Sequence, residues 1–345
     1  MTAPLISVVM AAYNGQAFIG DAIRSVLAQT FQDFELVIVD DGSTDDTVKI
    51  VEGFEDARIR LLRNERNLGI SNTRNRGMAA ARGPYIAAHD QDDLSLPVRL
   101  ERHLAAFDSD PRVVLAAARV GEHPSGATWP PLPVPSGEAL AWRLFTGSIL
   151  THSAICLRAD ALGDSDEAFY RQEYHYAEDF EMYHRLSECG RLVFDAEVLG
   201  VYRYHAENTS KTKRAEMEAN GRRFLLSRYR QYLGRDFLGE GDIASIWRLC
   251  VLGEPAKTLA ELDRVGEILD AHVAAFLERR QADADDRQAS LSEASAVWWR
   301  LVRNSASVHG APTLARYDAW PHLSQRRVPL LTRLEARVRA RKRAV

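Results

Sequence analysis

Three carboxylates within four residues form the most chemically distinctive stretch of this 345-residue chain. Asp90, Asp92 and Asp93 directly follow a short apolar run, residues 85–89, which is predicted to be a buried strand. Carboxylates at such spacing repel one another unless a cation or hydrogen-bond donors balance them. Oxygen ligands at the carboxyl end of a strand suit a hard cation such as Mg²⁺ or Mn²⁺. The alternative is an acidic loop in which Asp93 places negative charge near the start of a helix.

Three further acidic residues lie at the borders of predicted elements. Asp41 comes after a second apolar run, residues 34–39, while Glu178 and Asp179 open a predicted helix. A sugar-transfer site at neutral pH needs a metal to neutralise the departing diphosphate and a carboxylate to take a proton. Taken alone, the pair at 178 and 179 is equally typical of acidic residues at a helix N-terminus. His205 is either a ligand of the same metal or a simple hydrogen-bonded histidine.

The elements that must position these groups alternate between strands and helices over the first 200 residues. Near-continuously apolar strands are predicted at 5–11, 34–39, 59–62 and 85–89, with helices at 17–29 and 70–81 between them. This pattern predicts an α/β fold with a doubly wound, mostly parallel, Rossmann-like sheet, whose site lies in the loops after strand ends. Neither a G-x-G-x-x-G nor a P-loop motif follows the first strand, so the sequence does not favour a dinucleotide-binding site or a P-loop nucleotide-binding site.

The pattern changes at about residue 211, where the alternation of strands stops. Residues 211–345 are predicted to be helical, which divides the chain into regions 1–210 and 211–345. Residues 326–343 form a basic amphipathic tail that could contact an anionic membrane surface or a partner. A solvated basic tail is the alternative. The Pro-rich stretch 121–137 is predicted to be an irregular loop, either lining an acceptor pocket or lying plainly on the surface.

Composition narrows the classes of function. The formal net charge is −4 and the pI about 6.2, so no global basic character points to nucleic acid as a partner. No apolar run approaches the roughly 18–20 residues that span a bilayer. Three widely separated cysteines, Cys156, Cys189 and Cys250, lack metal-ligand spacing and are predicted to be buried reduced thiols. We therefore expect a cytoplasmic protein.

Five segments carry motifs in a fixed order. They are LISVVMAAYNG at 5–15, VDDGSTD at 39–45, NLGISNTRNRG at 67–77, HDQDDLSLPVRL at 89–100 and AEDFEMYHRL at 177–186. In order and spacing they resemble the family 2 glycosyltransferases of the GT-A fold, over about residues 4–206. Several motifs in one order are far more specific than an isolated D-x-D. His89 departs from the family pattern, in which an apolar residue commonly precedes the first aspartate.

The resemblance implies a role for each matching residue. It implies a nucleotide-binding set made of Ala11, Ala12, Tyr13, Asp41, Arg74 and Asp90. Within this set, Asp41 would accept from a base N–H and Asp90 would contact the ribose. Asp92 would ligate the Mg²⁺ or Mn²⁺ that bridges the diphosphate, with help from His205. Asp179 would be the general base that deprotonates the acceptor hydroxyl.

The implied activity is inverting transfer from a nucleotide-sugar, with a UDP-sugar favoured, to a glycan or glycolipid acceptor in cell-surface polysaccharide or glycolipid assembly. The Gln-x-x-Arg-Trp segment and membrane helices of the processive synthases are not found in this sequence, so the resemblance implies addition of one or a few sugars. The location expected is the cytoplasm, with contact at the inner face of the membrane through 326–343. The oligomeric state is not indicated.

Two other functions share parts of this pattern. A sugar-phosphate nucleotidyltransferase typically carries a Gly-rich loop with a cation after the first strand, whereas Tyr13-Asn14-Gly15-Gln16 has none. A catalytically silent nucleotide-sugar or glycan-binding module of the same fold is the other alternative. The intact carboxylates argue against that module.

Overall fold

The structure, a computed structural model, describes residues 3–121, 134–162 and 168–324. The chain divides into two compact units. The first draws its described residues from Met1–Val134 and Leu150–Glu218, and the second from Pro135–Ile149 and Ala219–Val345. The segment 135–149 therefore belongs with the C-terminal helices, whereas the sequence analysis placed it before a single boundary at 210. The basic tail 326–343 and most of the Pro-rich stretch 121–137 lie outside the described residues.

The first unit is built on one sheet, which has eight strands among the described residues. They are β1 (Ile6–Ala12), β2 (Phe34–Asp40), β3 (Ile59–Arg63), β4 (Tyr85–Asp90), β5 (Leu94–Ser95), β6 (Val113–Gly121), β7 (Ile155–Arg158) and β8 (Arg191–Val201). Their order in the sheet is β3-β2-β1-β4-β7-β6-β8-β5. The pairs β1–β2, β1–β4, β2–β3 and β6–β8 are parallel, whereas β4–β7, β6–β7 and β5–β8 are antiparallel.

Helices connect the strands of this unit. They are α1 (Ile19–Leu27), α2 (Thr47–Glu52), α3 (Ile70–Ala80), α4 (Arg99–Ser109), α6 (Glu178–Cys189) and α7 (Thr209–Thr212). Every residue of β2 is buried, as expected of a parallel strand covered on both faces. The core joins β1 and β2 to the apolar side of α1, which includes Ile19, Ile23 and Val26. The predicted α/β class, with its mostly parallel sheet, is confirmed.

The second unit is helical, which confirms the predicted C-terminal helical region. Its helices are α5 (Gly137–Arg143), α8 (Arg214–Leu233), which begins in the first unit, α9 (Glu240–Ile246), α10 (Leu259–Arg279) and α11 (Ala284–His309). The Asp283 side chain caps α11 by accepting from the Asp286 backbone N–H at 2.8 Å. None of the helices described is both long and apolar enough to cross a membrane.

Candidate active site

The carboxyl ends of β1, β2 and β4 meet at one edge of the sheet. In the parallel register Ala11 lies between Val39 and Asp90, and the Asp41 backbone N–H donates to the Ala12 carbonyl at 2.8 Å. This register brings three loops that are distant in sequence to the rim of one cavity of about 930 Å³. Of the sequence-predicted site residues, all of the following line the cavity: Ala11, Ala12, Tyr13, Asp41, Arg74, Asp90, Asp92, Asp179 and His205.

The loop after β1 is held in place by the Gln91 side chain. Its carboxamide accepts from the Tyr13 backbone N–H at 3.0 Å and donates to the Tyr13 carbonyl at 3.0 Å. Gly15 leaves room for this contact, since a Cβ there would lie 2.2 Å from Gln91 Oε1. The side chain between the two aspartates of the D-x-D thus fixes the backbone beside Ala11 and Ala12, while the Tyr13 ring stays 44% exposed.

Asp41 is buried, and its carboxylate accepts three N–H hydrogen bonds. Its Oδ1 accepts from the Asn64 side chain at 2.7 Å and from the Leu68 backbone at 2.9 Å, and its Oδ2 accepts from the Gly69 backbone at 3.0 Å. Gly69 has a φ of +86°, which a side chain would disfavour. Asp41 therefore shapes the 67–69 turn, with acceptor capacity left on Oδ2 because each carboxylate oxygen can accept twice.

Asp90 sits in a network of opposite charge. Arg74, which is buried, donates to Asp90 Oδ1 and to Glu178 Oε1, both at 3.0 Å. The Nδ1 of His152 lies 3.0 Å from the same Asp90 oxygen, and its Nε2 lies 2.9 Å from the Tyr170 hydroxyl. Burial alone would raise the pKa of Asp90, but His152 and Arg74 hold that pKa well below its usual range. Asp90 is thus a fixed, ionised acceptor.

Asp92 lies in a less compensated environment. Its Oδ2 is 2.8 Å from His205 Nε2 and accepts from Asn208 Nδ2 at 3.4 Å. The Asn208 side chain also accepts from the His205 backbone N–H at 2.7 Å, and the His205 ring stacks on Phe18 with centroids 4.4 Å apart. Burial, and then the neighbouring charge of Asp90, raise the pKa of Asp92 above its usual value. The site therefore disfavours the bare Asp92 anion, as expected where a cation is to bind.

Asp93 points away from the cavity, into the protein. It is only 1% exposed and accepts from the Ser153 hydroxyl and from the Arg203 backbone N–H, the latter at 3.0 Å. Burial, followed by repulsion from Asp90, raises the pKa of Asp93 to about 7. The neighbouring His89 is also buried, and burial lowers its pKa to about 3. Both residues are structural. Asp93 does not cap a helix, because α4 begins only at Arg99.

Asp179 lies in the first turn of α6, as the sequence predicted. Its Oδ1 accepts from the Phe180 backbone N–H at 2.7 Å, and the half-buried side chain lines the cavity. Glu178, by contrast, is 2% exposed and committed to Arg74. One carboxylate of this acidic pair is therefore open to a substrate and the other is held by an ion pair.

Comparison with known proteins identifies the family. Residues 7–164 match the family model described as glycosyl transferase family 2. An uncharacterized glycosyltransferase of Haemophilus influenzae is 28% identical over 246 residues, which cover 67% of this chain and 75% of that protein. Residues 7–164 thus match the family 2 glycosyltransferases, and the similarities together support a glycosyltransferase of this family. The chondroitin synthase of Escherichia coli is 31% identical over 219 residues, 61% of this glycosyltransferase but only 30% of the synthase.

Solved structures show the same fold for this glycosyltransferase. Residues 1–349 of Staphylococcus aureus TarS, in complex with UDP-GlcNAc, superpose with a TM-score of 0.55 at 17% identity, covering 98% of this chain and 91% of that one. The mannosyltransferase PcManGT from Pyrobaculum calidifontis, in complex with GDP-Man and Mn²⁺, gives a TM-score of 0.52 at 16% identity, with 88% of each chain covered. The predicted GT-A fold is confirmed.

The sequence analysis missed several residues of the glycosyltransferase cavity. His152, Gln91 and Asn208 orient Asp90, the Tyr13 backbone and Asp92, respectively. His152 and Asn208 lie outside the five motif segments. Gln91 lies within the segment 89–100, between Asp90 and Asp92, and its amide was the one available signal.

The side chains of Asp92 and His205 are the candidate ligands for a divalent cation in this site. They place one carboxylate oxygen and one imidazole nitrogen 2.8 Å apart at the cavity wall. Within the described part of the chain, no group of three or more His, Cys, Asp or Glu side chains is arranged to hold a metal unaided. Mg²⁺ typically takes only one or two protein ligands together with waters and substrate phosphates. The two side chains therefore fit a cation that shares its coordination with a bound diphosphate.

Cysteine exposure corrects one detail of the sequence analysis. Cys156 and Cys250 are buried as expected, but Cys189 is exposed. Cys189 is the last residue of α6, where the helix reaches the surface before Gly190. The three cysteines are not joined in disulfides, as predicted.

Proposed function

We propose that this glycosyltransferase moves a sugar from a nucleotide-sugar to an acceptor hydroxyl, with inversion and with the help of Mg²⁺ or Mn²⁺. The observation that carries the proposal is the convergence of Asp41, Asp90, Asp92 and Asp179 on one cavity. The acceptor would be a glycan or glycolipid in polysaccharide assembly, which the similarity to a chondroitin synthase supports. The cytoplasmic location and the membrane contact through 326–343 stay predictions.

The charge of the cavity supports the need for a metal. Six carboxylates line it, from Asp41, Asp90, Asp92, Glu178, Asp179 and Glu207. Among the described lining residues the permanent cations are Arg74, which is already paired, and Lys213. A diphosphate entering this cavity would meet strong repulsion. When bound at Asp92 and His205, a divalent cation supplies charge neutralisation for the diphosphate as it leaves.

The donor would be held by the residues around β1, β2 and β4. The Ala11–Tyr13 backbone and Asp41 would surround the base, with the free capacity of Asp41 Oδ2 accepting from a base N–H. Asp90 would accept from the ribose hydroxyls, for which a fixed ionised carboxylate is suited. Arg74 would act on the nucleotide through Asp90, since both of its terminal nitrogens are occupied by carboxylates.

Asp179 would be the general base. It would take the proton of the acceptor hydroxyl while that oxygen attacks the anomeric carbon and the bond to the diphosphate breaks. Inversion follows from a single displacement of this kind. The ion pair between Glu178 and Arg74 is compatible with it, because it leaves Asp179 as the one carboxylate of the pair at 178 and 179 that is not held by an arginine.

A thermal-shift panel tests the proposal. UDP-, GDP- and dTDP-sugars are each added with and without Mn²⁺, and the apparent unfolding temperature is measured. We expect one nucleotide, UDP first, to stabilise the protein when Mn²⁺ is present, by about 2.7 kcal/mol at a concentration of 100 Kd. No stabilisation by any donor would contradict the proposal. Binding without transfer to any acceptor would favour a silent module, and pyrophosphate release from a nucleoside triphosphate would favour a nucleotidyltransferase.

The replacement Gln91→Ala is expected to weaken donor binding by about 10- to 30-fold. It removes two hydrogen bonds to the Tyr13 backbone, each worth about 1 kcal/mol, and so loosens the loop beside the base. Calorimetric titration with UDP and Mn²⁺ measures the effect. Gln32→Ala, which alters a glutamine outside the cavity, is the control and should leave the Kd unchanged. Equal affinities in the two variants would contradict the role of Gln91.

A further inference from the structure

Two lysines follow β8 beside the cavity: Lys213 lines it, and Lys211 lies between the lining residues Ser210 and Thr212. The chain has 44 lysines and arginines, and its lysines are Lys49, Lys211, Lys213, Lys257 and Lys342. Most basic residues of this chain are arginines, and Lys211 and Lys213 are two of its few lysines, only two residues apart. A lysine ammonium is a mobile, strongly hydrated point charge, suited to an anion that binds and leaves.

Each of these lysines lies over a tyrosine ring. Lys211 Nζ is 5.6 Å from the ring centroid of Tyr204, and Lys213 Nζ is 5.8 Å from that of Tyr176. Both distances are within the range of cation–π attraction. Lys211 Nζ also donates to the His205 carbonyl at 3.0 Å. The ammonium groups are thus held beside the cavity while keeping N–H groups for another acceptor.

The two tyrosines present aromatic surface to a ligand. Tyr204 is 60% exposed and meets Tyr202 edge to face at 4.8 Å, and Tyr204 and Tyr176 both line the cavity. Tyr176 has a φ of +63°, a backbone conformation that a bulky residue rarely adopts, and its ring lies against His175 with centroids 3.9 Å apart. Such strain persists where the surrounding structure enforces it, and it is found disproportionately at ligand sites.

The position of Tyr176 indicates which ligand it would meet. It stands three residues before Asp179, at the turn that leads into α6. The general base of the proposed reaction contacts the acceptor, so the neighbouring Tyr176 and Lys213 lie on the acceptor side. The donor diphosphate is expected at Asp92 and His205. Aromatic rings offer a flat apolar surface for sugar rings, and an acidic cavity would repel an anionic sugar unless cations stood beside it.

We propose that Tyr176, Tyr204, Lys211 and Lys213 form the acceptor subsite, and that the acceptor is an anionic glycan. Its carboxylate or phosphate group would contact the two ammonium groups while its sugar ring packs on tyrosine. This inference rests on the proposed function, since it takes Asp179 as the base. It adds the chemical class of the acceptor.

Direct binding of charged and neutral oligosaccharides tests this subsite. The probes are a fluorescently labelled glucose tetrasaccharide, the same compound carrying one 6-phosphate, and a galacturonic acid tetrasaccharide. Affinities are measured by fluorescence polarisation, with and without UDP and Mn²⁺, at two salt concentrations. At low salt we expect at least one anionic probe to bind about tenfold more tightly than the neutral one, with the difference shrinking at high salt. Binding of the phosphorylated probe would indicate an acceptor with a phosphate group, and binding of the galacturonic acid probe would indicate a carboxylate.

Charge variants complete the test. Lys213→Gln, which keeps the contact of Lys211 with the His205 carbonyl, should reduce the preference for the anionic probe and leave UDP affinity unchanged. Lys49→Gln, an exposed lysine on α2, should behave as the wild type. Equal binding of neutral and anionic probes, binding of none, or loss of UDP affinity with the preference kept would overturn the inference. Failure to bind UDP with Mn²⁺ in the wild type would instead count against the proposed function.

Discussion

Replacing Asp179 with asparagine is expected to reduce kcat for sugar transfer by about 10²–10⁴-fold while the affinity for the donor stays the same. General base catalysis contributes on this order. The amide keeps the shape of the side chain but takes no proton from the acceptor hydroxyl. Asp179 accepts from the Phe180 backbone N–H and forms none of the hydrogen bonds described above for Asp90. Steady-state nucleotide release with acceptor present, together with calorimetric donor binding, separates kcat from binding.

A matched aspartate provides the control for this variant. Asp160 is exposed in a turn after β7 and does not line the cavity, so Asp160→Asn should retain wild-type turnover. Transfer by Asp179→Asn within about threefold of the wild type would remove Asp179 from the role of base, since loss of a base costs at least about 10²-fold. A fall in donor affinity equal to the fall in kcat would indicate a binding role instead.

Much of the site was predictable because it depends on strand ends. Apolar runs mark the buried strands, and the carboxyl ends of neighbouring parallel strands share one edge of the sheet. Asp41 and Asp90 follow such ends, so their convergence required only that β1 pair with β2 and β4. The order of motifs added Asp179, which is far along the chain and could not be placed by spacing.

The side-chain partners were not predictable in this way. His152 reaches Asp90 from a short 3₁₀ turn, His152–Ala154, that precedes the antiparallel strand β7. Its role depends on the register of that pairing, which hydrophobic pattern alone does not set. Arg74 likewise faces Glu178 across 104 residues of sequence. The grouping of segment 135–149 with the C-terminal helices was not predictable for a related reason, because the sequence of a helix does not specify the surface against which it packs.

The structure also gives a physical reason for the different roles of Asp90 and Asp92. They are two residues apart, yet Asp90 is balanced by Arg74 and His152, whereas the side-chain hydrogen bonds described for the Asp92 carboxylate are to His205 and Asn208. The pKa of Asp90 is accordingly lowered, by His152 and Arg74 against the effect of burial, and the pKa of Asp92 is raised by burial and by Asp90. The less compensated carboxylate is the one that gains most from a divalent cation.

Replacing Asp92 with asparagine is therefore expected to have opposite effects on stability and activity. Without ligands, the variant should unfold at the same temperature as the wild type or a higher one, because it removes a charge that burial and Asp90 disfavour. Transfer should fall by at least about 100-fold, because charge stabilisation by a metal is worth several kcal/mol. The stabilisation that Mn²⁺ adds to UDP binding should disappear.

Thermal unfolding with UDP across a Mn²⁺ titration checks the metal effect, and nucleotide release checks transfer. Asp108→Asn, an exposed aspartate on α4 away from the cavity, is the control and should keep the Mn²⁺ response of the wild type. An undiminished Mn²⁺ response in Asp92→Asn would show that the cation binds elsewhere. If Asp92→Asn unfolded at a lower temperature than the wild type without ligands, Asp92 would be needed for stability. Its surroundings would then compensate its charge more fully than the hydrogen bonds to His205 and Asn208 indicate.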